Sequence, residues 1–270
     1  RNSCCQRRSI FYTRRTEKHE KRTGCINLIK PSSHNMSKRK VLLIAYFFPP
    51  LGGAGVQRSV KFAKYLSDFG WQPVVLTGRH HTSAIDDETL EAELPDDLTV
   101  VRSPALRIPK RLPWRLRQAI SRWFLIVDEQ IGWLPFATRY DLLTAQQHDI
   151  RMLYSTSSPY TDHLVGLRLK KRLEVPWIAD FRDPWIGNMS LTFPTTFHRK
   201  LSEGLEKRVV TSADRVIVVS EPMKRDLQRR YPDLPSERIR VITNGYDPQD
   251  FQGIKPVEAC LLYTSDAADE

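Results

Sequence analysis

Two carboxylates flank a guanidinium in the run Asp180-Phe181-Arg182-Asp183-Pro184-Trp185. Asp180 and Asp183 offer general bases, or a group that orients an acceptor hydroxyl. Arg182 offers a cation for a phosphate or for setting a neighbouring pKa. The same three residues equally suit a structural cluster that holds a loop. His163 lies one turn into the helix expected after Ser157-Ser158-Pro159-Tyr160. It can reach the same edge as the Asp-Arg-Asp run, or pack as an ordinary histidine. Ser155 to Ser158 stand at the start of that helix, where hydroxyls cap free N–H groups or meet a ligand. Ser220-Glu221 is open in the same way. Gly52, Gly53 and Gly55 free the backbone between an apolar run and a helical one, and such a turn gathers unpaired N–H groups and the helix dipole on one spot. The glycine spacing departs from the dinucleotide fingerprint, and no Lys-Ser/Thr pair marks a phosphate-binding P-loop. A plain strand-to-helix turn of any doubly wound fold would look alike. The chain has no G-x-S-x-G, no H-E-x-x-H and no paired cysteine motif. A hydrolase triad and a zinc enzyme are therefore disfavoured.

These residues need a scaffold, and the hydrophobic pattern supplies one. Val41–Tyr46 is an unbroken apolar run without helical period, as in a buried parallel strand. Pro49-Pro50 stops it. From Val56 the period turns helical through Val60, Ala63, Leu66 and Phe69, and Gly70 stands where a helix ends left-handed. Further strands are expected at Pro73–Leu76, Leu98–Arg102, Met152–Ser155, Pro176–Ala179, Arg215–Val219 and Ile239–Ile242. Helices are expected from Pro113, over Pro135–Gln147, after Tyr160, over Phe197–Ser212 and up to Tyr231. Strands alternating with helices predict a doubly wound, Rossmann-like parallel α/β sheet with right-handed crossovers. Ligands of such sheets lie beyond the carboxyl ends of the strands, and every unusual polar loop named above follows a strand. A polar loop with His80, His81, Asp86, Asp87 and Glu88 reads as solvated rather than metal-binding, because adjacent histidines converge poorly on one ion. The segment Leu106–Val127 has tryptophans and arginines, and no acidic residue occurs from Leu98 to Val127. Its helical stripe fits a helix lying in an anionic membrane interface, or a core-packed helix with solvated arginines.

The net charge of +11 is concentrated at one end. Residues 1–40 hold twelve basic and two acidic side chains, which leaves 30 basic and 29 acidic among the other 230. The high pI is thus a property of the leader, and a nucleic-acid partner is not expected. Met36 is the first methionine, so residues 1–36 are expected to be a non-native or disordered basic leader, with a targeting segment as the alternative. Residues 37–247 form the expected Rossmann-like domain and 248–259 the start of a linker. Cys260–Glu270 (CLLYTSDAADE) reads as adapter-derived sequence. All four cysteines fall in these two ends, which supports neither a disulfide framework nor a cysteine metal site. No run is long and apolar enough to span a bilayer as a helix.

Taken together, PPLGGAGVQRSVKFAKYLSDFGWQPVVLT, STSSPYTDHLVGLRLKKRLEVPWIADFRDPW, ADRVIVVSE and VITNGYDPQDF resemble the N-terminal half of a bacterial glycosyltransferase family 4 protein, over roughly Lys40–Phe251. The resemblance implies one half of a GT-B architecture, two Rossmann-like domains around a cleft. It implies retaining, metal-independent transfer from a nucleotide-sugar donor to a lipid-linked or saccharide acceptor, without a further cofactor. The expected location is the cytoplasm, with peripheral docking on the inner membrane face if the Leu106–Val127 helix is interfacial rather than core-packed. By that likeness Gly52 and Gly53 approach the donor phosphates and sugar. Asp183, Arg182 and His163 form the catalytic region, and Ser157, Asp180, Ser220 and Glu221 face the cleft or the acceptor. Asn244, Gly245 and Asp247 lie where the chain passes towards a second domain.

The family's C-terminal donor-binding domain, with its paired glutamates and basic residues, is expected to lie beyond a truncation of this sequence. A leaving nucleoside diphosphate needs cationic or dipolar stabilisation. Here only the glycine-turn helix end, Arg58 and Arg182 are available for it, so the chain alone is expected to be inactive as a transferase. A non-catalytic Rossmann-like binding module and an epimerase-like enzyme of the same architecture remain the alternatives.

Overall fold

A computed structural model describes residues 39–79, 87–109, 111–139, 148–188 and 191–252. The expected leader, the adapter-like end, the histidine pair and most of the helix expected over Pro135–Gln147 lie outside the described residues. Seven strands form one fully parallel sheet: β1 (Arg39–Ile44), β2 (Trp71–Gly78), β3 (Thr99–Ser103), β4 (Ile150–Ser157), β5 (Trp177–Phe181), β6 (Arg215–Val218) and β7 (Ile239–Val241). The order across the sheet is β3-β2-β1-β4-β5-β6-β7. The winding therefore reverses between β1 and β4, and the crevice outside their carboxyl ends is where a doubly wound sheet binds its ligand. The Rossmann-like expectation is met.

The helices follow the sequence pattern closely. Helix α1 (Ala54–Tyr65) buries Val56, Val60 and Ala63, and a short 3₁₀ turn closes at Gly70 with φ of 77°. One helix was not expected: α2 (Glu88–Ala92), capped by Asp87 and buried only at Leu90. A single apolar anchor gives no period to detect. Helix α3 (Trp114–Phe124) begins after Pro113, and α4 (Thr161–Leu173), α5 (Thr196–Ser212) and α6 (Glu221–Arg230) follow where the pattern places them. The two faces of the sheet carry two cores. One holds Leu42, Ile44, Leu153, Val165, Leu169, Trp177 and Val209, and the other Val41, Leu43, Val60, Ala63 and Val75. Alternate residues of β1 feed opposite cores, so an unbroken apolar run is what a central parallel strand requires. Among the described residues no helix is long and apolar enough to cross a membrane.

Candidate functional site

The glycine turn follows β1, and the Ser155–Ser158 run ends β4, so both stand at the winding reversal. Gly53 has φ of 108° and ψ of 160°, which only glycine adopts without strain. No side chain caps α1, and its first turn carries no acidic residue. The positive end of the helix dipole thus has no acidic side chain of the helix's own first turn to meet it. The Arg182 guanidinium donates to the Gly55 carbonyl, and a Cβ at position 55 would lie 3.1 Å from its Nη1. Arg182 also pairs with Asp183 at 3.5 Å. Asp183 accepts from the Ser158 hydroxyl at 3.1 Å and keeps 42 % of its side chain exposed. The fold thus brings Gly53, Gly55, Arg182, Asp183 and Ser158 into one chain of contacts. Gly52 lines the neighbouring cleft.

Other expected residues stand elsewhere. Asp180 is fully buried and receives the Arg58 guanidinium in two bonds, of 2.8 and 3.0 Å. The Tyr154 hydroxyl at 2.6 Å and the Thr156 hydroxyl at 3.1 Å add to the same carboxylate. Arg58 also donates to the Ile242 and Thr243 carbonyls and to Asn244 Oδ1, each at 3.3 Å. Its donors are engaged inside the protein, and Asp180 does not face the cleft. The physical reason is strand alternation: Thr156 and Asp180 are register partners on one face, on which α1 packs.

His163 does not stand at the edge either. It is fully buried with its ring centroid 4.4 Å from that of Phe181. Its Nδ1 meets Ser155 Oγ at 2.8 Å, and Ser155 Oγ accepts the Trp177 indole N–H at 2.9 Å. His163 Nε2 is buried and has no partner among the described residues. Burial pushes the imidazole pKa down to about 3, so the ring is neutral. Ser157 is buried without a partner for its hydroxyl, and the expected serine capping of α4 does not occur. Instead Asp128 accepts the Thr161 N–H at 2.9 Å and the Thr161 hydroxyl at 2.6 Å. This cap comes from 33 residues upstream, and no local pattern announces it. Ser220 is the N-cap of α6, accepting the Met223 N–H at 3.4 Å, while Glu221 is exposed. Asn244 and Gly245 are exposed and Asp247 is buried against α1.

Sequence reasoning missed Asp162. Its Oδ2 accepts the Tyr46 N–H at 2.9 Å, at the root of the glycine turn, and its buried Oδ1 has no partner among the described residues. Burial drives this carboxyl well above the ordinary range, with the Tyr46 N–H and Arg182 opposing and Asp128 reinforcing the rise. The position beside His163 in a polar run was the only available signal.

A cleft of about 1690 Å³ opens beside the glycine turn. Tyr46, Phe47, Leu51 and Gly52 form one wall, and α3 forms another with Trp114, Arg115, Arg117 and Trp123. Trp114 is 63 % and Trp123 50 % exposed. Neither Arg115 nor Arg117 makes an ion pair among the described residues. The far end of α3 is fixed by His198 Nε2 at 3.1 Å from the Trp123 carbonyl and by Ser202 on the Ile126 carbonyl at 3.3 Å. Arg115 lies over the Trp114 ring, 5.7 Å from its centroid, and Asp128 and Glu129 also line the cleft, so this surface mixes indoles and aliphatic side chains with charges of both signs. The carboxylates Glu93, Asp247 and Asp250 converge as a metal set would, but the Lys61 ammonium bonds all three.

The family model described as Glycosyltransferase Family 4 matches residues 53–250. No curated protein matches the chain. Among solved structures, apo UGT2 of Phytolacca americana has 15 % identity and a TM-score of 0.48, covering 81 % of this chain and 55 % of that one. A UDP-glucosyltransferase from Polygonum tinctorium capable of glucosylating indoxyl has 13 % identity and a TM-score of 0.48, covering 84 % and 56 %. The spinosyn rhamnosyltransferase SpnG, complexed with thymidine diphosphate, has 14 % identity and a TM-score of 0.41, covering 78 % and 50 %. The chain spans about half the length of these structures. With nearly two hundred consecutive residues matched, from the glycine turn to the segment beyond β7, the chain belongs to glycosyltransferase family 4.

Proposed function

We propose that this chain is the acceptor-side half of a GT-B glycosyltransferase that moves a hexose from a nucleotide-sugar to a lipid-linked or saccharide acceptor. The observation that carries the reading is the open glycine turn at the winding reversal, tied by Arg182 to the half-exposed Asp183. In this reading the uncapped end of α1 and Arg182 face the donor phosphates, where a leaving diphosphate gathers charge. Asp183, with 42 % of its side chain exposed, orients the acceptor hydroxyl. Transfer occurs with retention and without a metal. The matching half, with the donor-binding residues, belongs to the whole protein, and residues 248–259 lead towards it.

The cleft wall made by α3 extends the reading. Its exposed tryptophans and basic residues favour an anionic bilayer, consistent with surface polysaccharide synthesis on a lipid carrier at the cytoplasmic membrane face. The full-length protein is to be incubated with UDP-glucose, UDP-N-acetylglucosamine and dTDP-rhamnose, together with bacterial membranes as a source of acceptor. Release of nucleoside diphosphate and labelled sugar in the lipid or saccharide fraction is expected, and Asp183→Asn should reduce it by about 10²–10⁴-fold. Absence of turnover with every donor, for a folded full-length protein, refutes the transferase reading.

A further inference from the structure

Beyond β7 the chain leaves the sheet, yet the segment 242–250 is not loose. It lies along α1, the helix that opens with the glycine turn. Arg58 holds the Ile242 and Thr243 carbonyls and the Asn244 side chain. One turn further, Lys61 bonds Asp247 at 3.1 Å and Asp250 at 2.5 Å. Lys64 reaches the same Asp247 oxygen at 3.2 Å and the Tyr65 hydroxyl reaches it at 2.6 Å. A single carboxylate oxygen thus accepts from three side chains, spaced i, i+3 and i+4 along one helix face. The second oxygen of Asp247 accepts the Gln249 N–H at 3.0 Å and shapes the turn that follows. The Tyr65 hydroxyl, the Gln249 N–H and the two ammonium groups together hold this carboxyl well below the usual carboxylate range.

At the other end of α1 the backbone is anchored as firmly. Arg182 holds the Gly55 carbonyl, and the Val56 N–H closes on the Gly53 carbonyl at 3.0 Å. Helix α1 is only 12 residues long and buries four of them. It is a rigid rod of about 18 Å, gripped by the post-β7 segment along one half and carrying the glycine turn on the other.

We propose that Asp247 is a positioning residue for the glycine turn. Through Lys61, Lys64 and Tyr65 it locks the segment leaving β7 onto α1, so that this segment and the turn move as one body. A displacement of the chain beyond residue 252 is then delivered to the turn rather than absorbed in a free hinge. Its meaning for catalysis rests on the transferase reading above, but the mechanical coupling does not, and it is measured without any ligand.

The test is residue-resolved hydrogen exchange on the chain, comparing the parent with Asp247→Asn and with the milder Tyr65→Phe. Coupling predicts that Asp247→Asn speeds exchange about tenfold at Gln249 and equally at Val56 and along the remainder of α1, with β4 and β5 unchanged. Tyr65→Phe gives the same pattern at a few-fold, and it reports if Asp247→Asn does not fold. Lys61→Arg, which keeps a cation beside Glu93, Asp247 and Asp250, holds the parent rates that Lys61→Ala loses. Faster exchange at Gln249 with Val56 unmoved overturns the proposal, because the segment then hinges freely. Equal acceleration in β4 also overturns it, since Asp247 would then stabilise the domain as a whole. Failure of sugar transfer with coupling intact would strike only the functional reading.

Discussion

Arg58 and Asp180 decide whether the region under the glycine turn is a charge store for ligands or a strut. Removing Asp180 leaves the Tyr154 and Thr156 hydroxyls without this acceptor and takes two of the bonds of the Arg58 guanidinium. An orphaned buried hydroxyl costs about 1–3 kcal/mol, and the larger share falls on Tyr154, whose bond to Asp180 is the shorter at 2.6 Å against 3.1 Å for Thr156. Arg58 retains two backbone carbonyls, so its own loss is partial. The sum for Asp180→Ala is about 3–5 kcal/mol, the range found when one partner of a buried pair is deleted. Arg58→Ala leaves a buried carboxylate with two hydroxyl donors and should cost about 3 kcal/mol. The double variant should lose clearly less than the two costs added, because neither orphan then remains beside its lost partner. Urea unfolding at neutral pH checks this. At a slope of about 3 kcal/mol/M, each single substitution moves the midpoint down by roughly 1 M or more. Parent stability should change little between low and high salt, since buried pairs are weakly screened. Single costs below about 1 kcal/mol, additive in the double variant, would refute the strut and return Arg58 to the donor phosphates.

Three further outcomes follow from the same geometry. Asp162 has a folded pKa raised by burial, so its protonated form is the one that fits. Its contribution is complete below the ordinary carboxyl value of about 3.9 and is lost as pH climbs towards the raised folded value. His163 acts in the opposite sense: with a folded pKa of about 3, its contribution is complete above about 6.5 and lost as pH falls towards 3. Asp162→Asn should therefore flatten the decline of the urea midpoint above about pH 4 and leave unchanged the acid limb, to which His163 and the depressed carboxyl of Asp247 both contribute. Gly166→Ala would place a Cβ 2.6 Å from the Trp177 indole nitrogen, inside a full core. Overpacking of about 1–3 kcal/mol should lower Tm by roughly 3–10 °C in a thermal scan. Arg230→Met strands the fully buried Glu206 with only Tyr231 and the Ile186 N–H as donors, and should cost about 3–5 kcal/mol by urea midpoint.

The order of strands and helices was legible because burial on two faces writes itself into the chain. Val41–Tyr46 is apolar throughout as the centre of a parallel sheet, and Val56, Val60 and Ala63 repeat at the period of a helix with one buried face. The glycine turn was legible for a similar reason, since a φ of 108° at Gly53 leaves glycine as the residue that fits. The grouping of Arg182 and Asp183 near it also followed, from the rule that loops after parallel strands share one edge. What the residues around them do was settled only by tertiary contact. Whether Arg58 meets a phosphate or Asp180 depends on a pairing across 122 positions. Whether serines or Asp128 cap α4 depends on a loop 33 residues away. His163 and Asp162 occupy adjacent positions in a polar run, yet the turn of one helix sends a neutral imidazole against Phe181 and a carboxyl onto the Tyr46 amide. Periodicity encodes which face of an element is buried, whereas the partner of a polar group is chosen by whichever remote donor the packing delivers to it.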